Sequence, residues 1–156
     1  MTKNQSLISK HAKSFNWAGF FLPKETFRKC SVLYDFCRTV DDIADGDDLL
    51  NAKKEKFLEF KSDFKNKNFS NNIIKNIHKL LDEESISHKI VNDLFDGVES
   101  DLKDEVNLNT KKDLLIYSYR VAGTVGLMMA KILKVNDQQA LRRAVDLGIA
   151  MQLTNI

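Results

Sequence analysis

The sequence predicts an all-α fold, and three observations carry that prediction. Its 156 residues include a single proline, Pro23, and only six glycines. No stretch alternates apolar and polar residues at a period of two, as half-buried strands do. Apolar residues recur instead at helical spacing between short polar breaks. Hydrophobic residues make up 43% of the chain and charged residues 29%, which is the composition of a globular rather than a disordered protein. The length fits one domain, or part of a larger one.

The elements follow in order. Pro23, followed by Lys24 and Glu25, opens a helix over about 24–45, since proline is tolerated in a first turn. "DGDD" at 45–48 breaks the pattern. A charged amphipathic helix spans about 49–65 and ends in the polar "NKNFSNN". Shorter helices are predicted over 72–82 and 86–103, and "KDEVNLNT" is a connection. Thr110 is a candidate N-cap for a helix running to about 133, and Asp137 for a last helix still apolar and periodic at Ile156. No internal repeat or linker divides the chain.

A formal charge of +2 with scattered lysines argues against a nucleic-acid partner. Cys30 and Cys37 are seven apart, on one helix face, and with no other cysteines they read as reduced core thiols. "MTKNQSLISKHAKSF" lacks the apolar run of a signal peptide. The most apolar stretch, "LLIYSYRVAGTVGLMMA", is interrupted by Arg120 and short for a membrane span. These features predict a cytoplasmic protein and are compatible with peripheral association at the inner face of the membrane. His78 and His88 lie among polar neighbours without ligand spacing and are expected on the surface.

"YDFCRTVDDIAD", 34–45, concentrates the chemistry. At about 100° per residue, Tyr34, Arg38, Asp41 and Asp45 fall on one stripe, opposite Leu33, Phe36, Cys37, Val40, Ile43 and Ala44. Like charges one turn apart, as at Asp41 and Asp45, destabilise an isolated helix by about 0.2–0.5 kcal/mol. A divalent cation removes that repulsion, and carboxylate oxygens suit Mg²⁺ held jointly with substrate phosphate. Arg38 is placed to meet a phosphate bidentately. The alternative is a solvated helix face, although acids near a helix C-terminus oppose the macrodipole.

Three other stretches stand out. "YSYRVAGTVG", 117–126, holds two glycines in a helical pattern, each costing about 1 kcal/mol relative to alanine; close helix packing or a kink would account for them. Tyr117, Val121, Thr124 and Met128 share one face there. In "DLGIAMQLTNI", Gln152 and Asn155 share a face with Gly148, so their amides either hydrogen-bond within the core or face a polar cavity. "HAKSF", 11–15, is either an exposed terminal segment or a phosphate contact through His11, Lys13 and Ser14.

Taken in order, "HAKSF", "LPKETFR", "YDFCRTVDDIAD", "LFDGVESDL", "YRVAGTVGLMM" and "DLGIAMQLTNI" resemble the phytoene/squalene synthase family of head-to-head prenyl synthases, bacterial phytoene synthases in particular. The resemblance runs from near the start to the last residue. It implies an isoprenoid-synthase-type helical bundle around a central cavity. It makes Asp41 and Asp45 Mg²⁺ ligands, with Mn²⁺ able to substitute, and Asn155 a further ligand. It places His11, Ala12, Lys13, Ser14, Tyr34, Arg38 and Gln152 at the substrate diphosphate, with Ala12 standing where relatives commonly carry serine. Tyr117 matches the tyrosine that guides the cationic rearrangement.

The implied activity is condensation of two geranylgeranyl diphosphates to phytoene through a cyclopropylcarbinyl diphosphate, a step of carotenoid biosynthesis. The family continues after "QLTNI" into a second aspartate-rich motif, so the chain reads as an N-terminal portion, truncated at the C-terminus and expected to be inactive by itself. Squalene, diapophytoene or hydroxysqualene chemistry, or a non-catalytic assembly protein on the same scaffold, are the alternatives. Retention of Asp41 and Asp45 argues against the last.

Overall fold

The computed structural model describes residues 19, 21–103 and 108–155. Among them there is no strand, as the sequence predicts. The chain runs through α1 (Lys24–Asp45), α2 (Leu50–Lys65), α3 (Asn72–Glu83), α4 (His88–Asp101), α5 (Lys111–Ser118), a π-helical segment (Tyr119–Gly123), α6 (Thr124–Ile132) and α7 (Gln138–Leu153). His11, Ala12, Lys13 and Ser14 lie outside the described residues.

Local chemistry sets the helix ends. The Thr110 hydroxyl accepts the Asp113 N–H while the Asp113 carboxylate accepts the Thr110 N–H, a complete capping box. Asp137 accepts the Ala140 N–H at the start of α7. Such caps contribute about 1 kcal/mol each. α2, α3 and α6 leave through left-handed residues, Lys67 at φ 53°, Ser85 at 51° and Lys134 at 63°. The next N–H then returns to a carbonyl five residues back, Asn68 to Asp63, Ile86 to Leu81 and Val135 to Ala130. The left-handed conformation costs a non-glycine residue about 1–2 kcal/mol, which those bonds offset.

α1 is central and packs against α2, α3, α4 and α6. Its apolar side buries Leu33, Phe36 and Val40, as the helical wheel predicts. They meet Phe57, Phe60 and Phe64 of α2 and Phe95 of α4. Phe95 presents edge-on contacts to Phe36 at 5.9 Å, Phe57 at 5.9 Å, Phe60 at 6.3 Å and Phe64 at 5.3 Å. Edge-to-face pairs contribute about 0.5–1.5 kcal/mol beyond their buried area.

His78 corrects the surface expectation. It is buried, with Nε2 2.9 Å from the Phe64 carbonyl oxygen and its ring stacked 4.5 Å from Phe64. His88 is half-buried, its ring 5.0 Å from that of His78. Polar neighbours in sequence do not determine a helix face: His78 falls inside the arc of Ile74, Ile77 and Leu81.

The predicted single helix over 110–133 is interrupted by the π turn at Tyr119–Gly123. The interruption splits the expected shared face. Val121 turns to a cavity, whereas Thr124 and Met128 are wholly buried. Close packing is the explanation that the contacts bear out. The π turn ends at Gly123, and Gly126 packs so closely that a Cβ there would collide with the Ala144 carbonyl of α7. Gly148 answers from α7, where a Cβ would lie 2.5 Å from the Ala122 carbonyl oxygen. These contacts lock α7 against the π turn and α6.

One buried carboxylate joins the ends of three elements. Glu84, just past α3, accepts from Lys29 Nζ of α1 at 2.6 Å and from Lys134 Nζ, just past α6, at 2.5 Å. Its side chain is 1% exposed. Burial alone would raise this carboxyl, but the hydrogen bonds from Lys134 and Lys29 outweigh it and hold the group below its ordinary 4.5. A depressed folded-state value adds stability above pH 4.5 that disappears as the pH falls through the folded-state value. Glu84→Gln is therefore expected to cost about 1–2 kcal/mol at pH 7, as loss of a charge-assisted hydrogen bond does. Urea unfolding should show the gap to the parent chain closing on acidification below pH 4.5. A gap independent of pH would refute the charge contribution.

Candidate active site

α1 and α7 flank α6 and leave a trough between them, a cavity of about 910 Å³. α1 supplies Tyr34, Cys37, Arg38 and Asp41; α7 supplies Ala140, Ala144, Leu147, Gly148, Met151 and, with the turn beyond it, Gln152 and Asn155. The floor comes from Val121 and Ala122 of the π turn and from Val125, Gly126, Met129 and Ala130 of α6. The polar side chains of the lining are Tyr34, Arg38 and Asp41 on α1 and Gln152 and Asn155 at the C-terminal end of α7. From Gln152 back to Ala140, α7 rises about 18 Å at 1.5 Å per residue, and apart from those side chains that length is lined by apolar groups.

Five of the predicted residues thus line one cavity: Tyr34, Arg38, Asp41, Gln152 and Asn155. Gln152 and Asn155 take the cavity-facing alternative. Asn155 reaches it from a turn rather than from a helix, because α7 ends at Leu153. Asp45 and Tyr117 do not line the cavity; they stand beyond its Asp41 end, near enough to Asp41 for their charges to interact.

Arg38 spans from structure to site. Its Nη2 lies 2.6 Å from Asp42 Oδ1, one turn on. Its Nε–H is buried and has no acceptor among the described residues. An unsatisfied buried donor costs about 1–3 kcal/mol, which an entering phosphate oxygen would recover. Asp41 keeps one side open to solvent. Loss of hydration, and after it the charge of Asp45, push its carboxyl up to about 6, with Arg38 opposing. That is the environment in which a cation is accepted. Among the described residues, however, no three His, Cys, Asp or Glu side chains converge as one metal cluster. Asp41 and Asn155 line the cavity, and Asp45 stands close enough to Asp41 for their charges to interact.

Sequence reasoning missed two participants. Asp101, the last residue of α4, accepts a hydrogen bond from Tyr117 Oη at 3.1 Å. Its signal lay in "LFDGVESDL", a stretch whose carboxylates received no role. Cys37 lines the cavity, where burial raises its thiol well above the usual range and keeps it protonated. Cys30 lies deeper, its Sγ 3.5 Å from Met129 Sδ.

An apolar trough with a few polar side chains, held in an all-helical bundle, is the arrangement expected of an isoprenoid-synthase-type protein. Residues 8–156 match the family profile described as squalene/phytoene synthase, and the chain belongs to that family. It is 32% identical over 157 residues to a 15-cis-phytoene synthase of Pantoea ananas, covering 93% of this chain and 50% of that protein. It is 30% identical over 162 residues to a 4,4'-diapophytoene synthase of Staphylococcus haemolyticus, covering 96% of this chain and 54% of that protein. The crystal structure of a dehydrosqualene synthase in complex with ligand superposes with a TM-score of 0.72 at 31% identity, over 96% of this chain and 53% of that one. Squalene synthase HpnC from Alicyclobacillus acidocaldarius shares the fold, with a TM-score of 0.79 at 19% identity, over 96% of this chain and 57% of that one. The chain spans about half the length of the relatives it matches. No helix among the described residues is long and apolar enough to cross a membrane.

The raised carboxyl of Asp41 has a stability consequence. Between its ordinary 3.8 and about 6 the folded chain binds a proton that the unfolded chain has released, so stability falls as pH rises through that window. Asp41→Asn is expected to raise the urea midpoint at pH 7, with the difference vanishing below pH 3.8. Equal midpoints at pH 7 would show that Asp41 is not electrostatically strained.

Proposed function

We propose that this chain supplies the first diphosphate and metal site of a Mg²⁺-dependent head-to-head prenyltransferase that condenses two geranylgeranyl diphosphates to phytoene. One observation carries the reading: an apolar trough of about 910 Å³ is lined as well by Tyr34, Arg38, Asp41, Gln152 and Asn155. A molecule with a long hydrocarbon tail and a compact anionic head fits that division of surfaces.

Each group has a role in this reading. Arg38 offers its free Nε–H to a phosphate oxygen, and Tyr34 and Gln152 line the same cavity. His11, Ala12, Lys13 and Ser14 are assigned to the diphosphate by family resemblance alone. Asp41 and Asp45, with the carbonyl oxygen of Asn155, would hold Mg²⁺, or Mn²⁺ in its place, and the bound ion would neutralise charge on the departing pyrophosphate. α6 and α7 supply apolar walls, and once the trough is covered these would keep out water that quenches an allylic cation. Tyr117 presents a phenol oxygen near the Asp41 and Asp45 carboxylates, suited to stabilising positive charge during rearrangement. Burial and then the neighbouring Asp101 carboxylate raise its hydroxyl above the ordinary value, so it stays protonated at neutral pH.

A second reading, diapophytoene formation, is favoured by the similarity to a 4,4'-diapophytoene synthase. The two are separated by supplying farnesyl and geranylgeranyl diphosphates to one preparation and identifying the product. The non-catalytic assembly protein is disfavoured by the Asp41–Asp45 pair. Association with the inner face of the membrane would suit an apolar product and remains part of the proposal.

The test uses the chain extended through the second aspartate-rich motif of its relatives, with Mg²⁺ and geranylgeranyl diphosphate. Asp41→Ala and Asp45→Ala are each expected to lower phytoene formation by on the order of 10²-fold or more, the scale of losing one electrostatic stabiliser. The unextended chain, run beside them, is expected to form no product. Undiminished phytoene from either variant would refute the assignment.

A further inference from the structure

We propose that Asp101 is the positioning residue for Tyr117, fixing the direction in which its phenol points. The contact itself is independent of the prenyltransferase reading; what Tyr117 does there rests on it.

Three observations converge. Tyr117 Oη donates to Asp101 Oδ2 at 3.1 Å, across two helices. Tyr119, two residues later, donates to Asp93 Oδ2 at 3.1 Å, on the same α4 and two turns earlier. The two tyrosines straddle the change from α5 to the π turn, so both sides of the irregular backbone are tied to one regular helix. Between the two carboxylates lies Gly97, where a Cβ would be 2.7 Å from Arg120 Cβ and 2.9 Å from Val121 Cγ1. A side chain at 97 would force α4 away from the π turn and lengthen both bonds.

The chemistry of the pair gives the contact a direction. An ionised carboxylate only accepts, so the phenolic proton points to Asp101 and the oxygen keeps a lone pair free on its other side. A charged acceptor strengthens the bond and leaves the phenol oxygen more electron-rich, hence better able to face positive charge. A free hydroxyl would instead rotate between partners. The carboxylate also stands within electrostatic range of Asp41 and Asp45. Its visible partner is the phenol.

The test has two arms. Ultraviolet resonance Raman spectra of the chain, with the Tyr117→Phe spectrum subtracted, isolate the Tyr117 doublet that reports whether a phenol donates strongly. Asp101→Asn keeps the shape and a neutral acceptor, and is expected to move the doublet toward that of a weaker donor. Asp101→Leu, where it folds, should move it further. An unchanged doublet in Asp101→Asn would overturn the proposal.

In the chain extended through the second motif, Asp101→Asn is expected to lower kcat by about 10–100-fold, as misplacement of a reacting group does. KM for geranylgeranyl diphosphate should hold, more cyclopropylcarbinyl diphosphate should escape, and Asp101→Glu should recover part of the rate. A raised KM with unchanged kcat would also overturn it. Should the extended parent chain form no prenyl product, the functional reading fails and the Raman arm alone decides the Tyr117–Asp101 contact.

Discussion

Backbone contact between α7 and the π–α6 segment is the constraint on which the rest depends. Gly126 and Gly148 each face a main-chain carbonyl of the opposite helix, at Ala144 and Ala122, so neither position has room for even a methyl group. Over-packed positions of this kind cost about 1–3 kcal/mol when filled. The consequence reaches beyond stability. With α7 seated this low, Ala140, Ala144 and Gly148 form a smooth wall and the space beside α6 stays open. Bulkier residues at the same contact would tilt α7 and alter the width of the trough along its whole length.

The second organising feature is a division of labour around α1. One side enters the phenylalanine cluster with α2 and α4, where Phe95 is edge-on to four other rings. The other side carries charge that the fold leaves incompletely satisfied: a buried Arg38 Nε–H without an acceptor among the described residues and an Asp41 carboxyl pushed up to about 6. Unsatisfied groups of this type oppose folding and are tolerated when rigid packing holds them. The aromatic cluster and the Glu84 clamp supply that packing from the far side of the same helix. Stability sits on one face and the candidate site on the other, connected through a single rigid rod.

Much of the candidate site was legible because its signals are local. The i, i+4, i+7 spacing of Tyr34, Arg38 and Asp41 placed them on one stripe of a helix whose bounds the sequence also marked, and all three line the cavity. Asp45 shares the stripe but lies past the end of the trough, since a stripe defines an angle and not a depth. Asp101 escaped notice because its importance comes from a partner sixteen residues away on another helix. His78 was misplaced for a related reason: its immediate neighbours are polar, while the arc it shares with Ile74, Ile77 and Leu81 is buried.

By itself the sequence determined the all-helical class, the boundaries of α1 to α3 to within a residue, the caps at Thr110 and Asp137, and which side of α1 would be apolar. All of these follow from the helical period, proline and glycine placement, and side chains bonding to backbone within a few residues. Tertiary structure alone decided the π turn, the depth of the trough, the pairing of Tyr117 with Asp101 and the burial of Glu84 between two lysines. Those depend on how closely helices distant in sequence approach, and that distance is set jointly by packing on both partners, which no single segment encodes.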